Sequence, residues 1–94
     1  MHFLLVAHDK PNALETRVAT RQAHIDYVKE QGCVVFGGPL LDDAGDMIGS
    51  MLVLELADKA AAKAFAAGDP YEKAGVFQSV EITPWKFVIG NPDA

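Results

Sequence analysis

The chain has 94 residues, half of them apolar, and a formal net charge of −5 at pH 7. This length suits a single domain spanning residues 1–94, the apolar content excludes intrinsic disorder, and the excess of carboxylates argues against nucleic acid or an anionic membrane as a partner. Because Cys33 is the one cysteine and the apolar run from Phe3 to Ala7 is too short for a signal core or a membrane span, we predict a cytoplasmic protein.

The first half of the chain predicts a strand, a helix and a second strand. His2 to His8 is rich in Leu and Val and ends at the sequence DKPN, which is typical of a buried strand. From about Ala13 to Gln31 the apolar residues recur at helical spacing, and Gly32 supplies a stop. The segment CVVFGGPLL, residues 33–41, predicts a second strand that its two glycines weaken and its proline closes.

The second half predicts a hairpin, a helix and a last strand. The turn cluster DDAGD leads into the third strand, IGSMLVLEL. Asp58 can cap a second helix, Lys59 to Ala67, which consists mostly of alanine. A last extended segment, residues 76–90, precedes a loose tail, residues 91–94. The order βαββαβ predicts an α+β, ferredoxin-like fold in which two helices cover one face of an antiparallel sheet.

The predicted strands are apolar on both faces. In the first strand Phe3 and Leu5 alternate with Leu4 and Val6, so neither face shows the polar residues expected of a face exposed to water. Two helices can cover only one face of such a sheet, and a second copy of the chain would cover the other. We therefore predict a homodimer that associates through the sheet.

Three basic side chains follow one another along the first predicted helix: Arg17, Arg21 and His24. On a helical wheel Arg21 falls inside the apolar stripe, and the other two lie on its edge. The residues of that stripe, which we predict to be buried, are Leu14, Val18, Ile25 and Val28. An arginine there is costly unless it meets a carboxylate or opens into a cleft, so this ridge is a candidate anion site. Alternatively, the arginines extend into solvent, and His24 is solvated or locally hydrogen-bonded.

The sequence GDPYEKAG raises the question of what Asp69 does. Asp69 is a good N-cap, Pro70 suits the first helical position, and Glu72 stands where a capping-box acid belongs. Gly75 then supplies the C-terminal stop. On local grounds a structural cap explains the whole motif.

The other polar motifs point to no established chemistry. The sequence GGP around Gly38 could bring backbone close to a ligand or mark a bulge, but it lacks the spacing of a phosphate loop. Ser50 has no nucleophile elbow around it. Three scattered histidines and one cysteine give metal binding no positive support.

Six segments in order resemble the YciI-like family of small dimeric α/β-barrel proteins. They are HDKPNALETR, RQAHIDYV, VVFGGPLLDDAG, GSMLVLEL, AFAAGDPYEKAGVF and SVEITPWKFV. The resemblance covers nearly the whole chain and implies that His24 and Asp69 meet in a cleft at the sheet. The wider group includes lactone isomerases and dehalogenating lyases that act on small organic acids, so the resemblance implies an enzyme-like protein.

In the function that this resemblance implies, Asp69 orients the imidazole of His24, which serves as general acid/base without a metal or organic cofactor. Arg17 or Arg21 would hold a small anionic metabolite. Three further residues would line the cleft: Gly38, Ser50 and Tyr71. Two alternatives stay open, a non-catalytic domain that binds a small metabolite in the same pocket and a purely structural dimer partner.

Overall fold

The computed structural model describes residues 1–93, and its elements follow the predicted order, including the short helix predicted to begin after Asp69. The elements are β1 (His2–Asp9), α1 (Leu14–Gln31), β2 (Val34–Leu41), β3 (Met47–Glu55), α2 (Lys59–Gly68), α3 (Pro70–Lys73) and β4 (Phe77–Trp85). The last strand is shorter than the predicted extended segment because the chain leaves the sheet after Trp85. In the predicted tail, Asn91 donates a hydrogen bond to the carbonyl of Phe87, and residue 94 lies outside the described residues.

The four strands form one antiparallel sheet in the order β2-β3-β1-β4. β1 lies in the centre, where Leu5 is opposite Leu52 of β3 and Ile82 of β4. Helical segments separate β1 from both of its neighbours along the chain. α1 and β2 lie between β1 and β3, and α2 and α3 precede β4. This topology confirms the predicted α+β, ferredoxin-like fold.

The helices cover the sheet face that carries Phe3 and Leu5. Both side chains are buried in a cluster with Ala62 and Phe65 of α2, and Val28 of α1 packs against the same cluster. Burial of this apolar surface, at about 25 cal/mol per Å², is the main stabilising contribution to a domain of this size.

The predicted buried stripe of α1 is wrong at its N-terminal end. Val18 is 57% exposed and Leu14 is 37% exposed, whereas Arg17 is only 1% exposed. The first turns of α1 lie beside Asp9 at the end of β1, so an ion pair occupies the buried position that an apolar side chain was predicted to fill. Arg21, predicted inside the stripe, is exposed.

Two predicted helix boundaries are confirmed, the start of α2 and the end of α1. Asp58 caps α2, and its side chain accepts a hydrogen bond from the N–H of Ala61 at 2.8 Å. Gly32 ends α1 with a φ of 67°, in the left-handed region that glycine adopts at little cost. Among the described residues, no helix is long and apolar enough to cross a membrane.

The chain's own C-terminal segment covers part of the opposite sheet face. Phe87, beyond the end of β4, lies with its ring centroid 5.4 Å from those of both Phe36 and Trp85. Val53, which pairs with Phe36 in the register and therefore lies on the same sheet face, is buried. Half-buried apolar side chains continue across the rest of the face: Leu4, Val6 and Met51. The apolar second face is therefore partly covered from within the chain.

Candidate active site

A cleft of about 270 Å³ opens between α1 and the β2–β3 edge of the sheet. Most of the residues proposed from the sequence line it: Arg17, Arg21, His24, Gly38, Ser50 and Tyr71. Its apolar walls come from Ile25, Val28, Val34, Pro39, Met47 and Leu52. An apolar cleft of this size with a few convergent polar groups suits a small organic molecule.

His24 and Asp69 are in direct contact at this cleft. His24 Nδ1 lies 2.9 Å from Asp69 Oδ1 and 3.1 Å from Oδ2. Both side chains are largely buried. Because an ionised carboxylate only accepts hydrogen bonds, it assigns the proton to Nδ1 and leaves the lone pair on Nε2. An imidazole in this tautomer can accept a proton at Nε2.

The carboxylate of Asp69 also caps α3. Its Oδ1 accepts the N–H of Tyr71 at 2.9 Å, as the local motif predicts. The N–H of Asp69 donates to the carbonyl of Ala66, so within the described chain Glu72 does not complete the predicted capping box. Capping and contact with His24 are therefore compatible, since one rigid carboxylate makes both hydrogen bonds.

The aromatic ring of Tyr71 contacts both His24 and Arg17. The rings of Tyr71 and His24 are stacked, with a centroid distance of 4.2 Å and an interplanar angle of 19°. The guanidinium carbon of Arg17 lies 4.4 Å from the Tyr71 centroid, within cation–π range. Burial raises the pKa of the Tyr71 hydroxyl against the opposing charge of Arg17, so this phenol is neutral. The stack and the bond to Asp69 together fix the plane of the imidazole.

Arg17 is held by Asp9, a residue that the sequence reasoning did not single out. Nε donates to Oδ2 at 2.7 Å and Nη2 to Oδ1 at 2.8 Å, and Nη2 also donates to Ser50 Oγ at 2.9 Å. Burial opposes the charged form, but the hydrogen bond and charge of Asp9 outweigh it and raise the pKa of the guanidinium. Asp9 follows directly on a buried strand, and strand ends often line sites, which is the signal that could have found it.

The remaining cleft residues have distinct surroundings. Arg21 and Lys29 are exposed at the rim, and Lys29 was not among the residues proposed from the sequence. A Cβ at Gly37 would collide with the carbonyl of Met51, so β2 needs a glycine there, whereas Gly38 faces open space. Within residues 1–93, no group of three or more His, Cys, Asp and Glu side chains is arranged to hold a metal ion.

Comparison with known proteins agrees with this fold. A protein-family model described as the YCII-related domain matches residues 1–86. The chain belongs to the YCII-related family. The YCII-related chain is 34% identical to an uncharacterised protein of Haemophilus influenzae, over 94% of this chain and 99% of the relative. It is 33% identical to the protein YciI of Escherichia coli with the same coverage. The predicted family resemblance is thus confirmed.

Solved structures extend the comparison of this YCII-related chain. A 5-chloro-2-hydroxyhydroquinone dehydrochlorinase of Burkholderia phenoliruptrix, in complex with 2,5-dihydroxybenzoquinone, is 33% identical with a TM-score of 0.85. The match covers 97% of this chain and 99% of the dehydrochlorinase. An antibiotic biosynthesis monooxygenase shares the fold alone, at 13% identity and a TM-score of 0.58. That match covers 93% of this chain and 97% of the monooxygenase chain.

Proposed function

We propose that this protein is an enzyme in which His24 and Asp69 perform general acid/base chemistry on a small anionic organic substrate. The observation that carries the proposal is the bond from His24 Nδ1 to Asp69, at 2.9 Å, which leaves Nε2 as the proton acceptor at the cleft. Asp69 would stabilise the imidazolium that forms when Nε2 takes a proton. Isomerisation or elimination beside a carbonyl is the reaction type that one such base can catalyse.

Elimination of hydrogen chloride from a hydroxylated ring illustrates the chemistry. A proton that moves from one ring hydroxyl to the chlorine-bearing carbon first makes that carbon tetrahedral. His24 Nε2 then takes the proton of a second hydroxyl, whose electron pair forms a carbon–oxygen double bond. The neighbouring ring double bond shifts onto the chlorine-bearing carbon, and chloride leaves with the electrons of its bond to carbon. The imidazolium then returns the proton to solvent. The ring is oxidised by two electrons when it becomes a quinone. No external oxidant is needed, because the departing chloride ion carries that electron pair away.

Similarity to the Burkholderia dehydrochlorinase supports a lyase of this kind. The two chains are 33% identical over nearly their whole lengths, and the dehydrochlorinase was solved with a six-membered ring compound, 2,5-dihydroxybenzoquinone. The apolar cleft of about 270 Å³ in this chain suits a molecule of that class. A halogenated hydroxyhydroquinone is therefore the first substrate to test.

With 5-chloro-2-hydroxyhydroquinone under argon, the purified protein is expected to release chloride faster than the enzyme-free reaction. Chloride is measured by ion chromatography and the quinone product by its absorbance. Unsaturated lactones and halogenated aliphatic acids complete the panel and separate isomerase from lyase activity. Binding of 2,5-dihydroxybenzoquinone without turnover of any compound in the panel would contradict the enzyme and favour a metabolite-binding domain.

We further propose that the protein is a homodimer associated through the sheet face that carries Phe36 and Met51. Phe36 is 39% exposed there, and no helix packs on this face in the described chain. A second copy would bury the apolar side chains that the C-terminal segment leaves accessible. A small domain gains much of its stability from burial of that kind.

Light scattering at micromolar concentration is expected to give twice the chain mass of 10.1 kDa. Met51→Glu places a charge in the proposed interface and should shift the mass toward the monomer. The control is Lys63→Glu, a larger charge change on the exposed side of α2, which should leave the mass unchanged. A monomeric wild-type protein would contradict the dimer.

A further inference from the structure

Two cations of the cleft have no acidic partner among residues 1–93. The buried cation, Arg17, is balanced by Asp9. Arg21 and Lys29 also line the cleft, yet neither forms an ion pair with a described carboxylate. No Asp or Glu of the described chain lines the cleft either. The cleft therefore presents two uncompensated positive charges in a protein whose net charge is −5.

These two cations lie on opposite sides of His24 along α1. Arg21 precedes His24 by one helical turn, and Lys29 follows it by more than one turn. At 1.5 Å rise per residue, the Cα atoms of Arg21 and Lys29 are about 12 Å apart along the helix axis. Ile25 and Val28 line the cleft between them, so an apolar surface separates the two charges.

We propose that Arg21 and Lys29 bind two separate anionic groups at opposite ends of one substrate. The substrate class is then a dianion with a compact apolar or aromatic centre, which would lie over Ile25 and Val28 beside His24. The proposal rests on the proposed function in that both concern ligands of the same cleft. It also assigns the anchoring role to Arg21 and Lys29 rather than to Arg17, because Arg17 is buried and its charge is balanced by Asp9.

Charge-assisted contacts favour a ligand whose two anionic groups match two separated cations over a ligand with one such group. A single carboxylate can engage one cation fully and leaves the other uncompensated. Because both cations are exposed at the rim, each contact is screened by salt, and the preference should shrink as ionic strength rises.

Isothermal titration calorimetry with terephthalate and benzoate tests the inference, since the two ligands share a ring and differ by one carboxylate. At low salt terephthalate is expected to bind about tenfold more tightly than benzoate. Arg21→Gln and Lys29→Gln should each bring terephthalate close to the affinity of benzoate. Lys63→Gln, which removes an exposed lysine of α2 outside this cleft, should change neither ligand.

Equal affinities for the two ligands, or a preference for terephthalate that survives both cleft variants, would overturn the inference. So would the lack of terephthalate binding at concentrations up to about 10 mM. The titration involves no turnover, so its result is separable from the proposed function. A retained preference without catalysis contradicts the acid/base role alone, and catalysis without a preference contradicts the dianion alone.

Discussion

Replacement of His24 by glutamine is expected to lower turnover by about 10²- to 10⁴-fold, the range contributed by a positioned general acid/base. Glutamine approaches the size of the imidazole and can still donate a hydrogen bond to Asp69, but it cannot take up a proton at neutral pH. The stacked contact with Tyr71 is the main packing interaction that changes. The loss should therefore appear in kcat, with little change in KM.

Steady-state chloride release and urea unfolding, measured on the same preparation, separate catalysis from stability. Asp69→Asn is the matched variant, because an Asn oxygen can still cap α3 whereas the charge that pairs with His24 is gone. It should lose activity and unfold at nearly the wild-type urea concentration. Val18→Gln, on the exposed face of α1, is the control and should behave as wild type. Full activity in His24→Gln would remove the catalytic role.

Replacement of Arg17 by methionine is expected to lower the free energy of unfolding by about 3–5 kcal/mol. The substitution removes three hydrogen bonds and leaves the carboxylate of Asp9, whose side chain is 5% exposed, without its cation. A small domain has only about 5–15 kcal/mol of stability in total, so the variant should be close to unfolding at 37 °C.

A second substitution distinguishes the cost of an unpaired charge from a general loss of packing. Asp9→Leu combined with Arg17→Met replaces the pair by apolar side chains and should recover most of the lost stability. Both variants are compared by urea unfolding monitored through Trp85. The control is Glu55→Gln, which disrupts an exposed ion pair with the N-terminal ammonium group of Met1 and should change stability much less. A double variant no more stable than Arg17→Met would contradict the ion-pair explanation.

The order of elements and most of their ends could be predicted from local patterns. Strand and helix periodicity, the cap at Asp58 and the stop at Gly32 act over a few residues and need no distant partner. The contact between His24 and Asp69 was implied by family resemblance alone. From its own neighbours Asp69 predicted only a cap, which the structure also contains.

The burial of Arg17 could not be predicted from the helical wheel. A wheel ranks the faces of α1 by their own hydrophobicity and has no information on the side chains that another element brings to that face. The partner, Asp9, belongs to β1, and the packing of α1 on the sheet decides that the two meet. For the same reason the wheel placed Val18 in the core, although it is exposed.

The sequence by itself determined the fold class and the family of this protein, because both depend on patterns that adjacent residues carry. Only the tertiary structure decided how charge is distributed in the cleft. Burial beside Asp9 makes Arg17 part of the scaffold, while Arg21 and Lys29 lie at the rim with no carboxylate partner in residues 1–93. An electrostatic site depends on distances between elements, and those distances arise only when helix and sheet pack together.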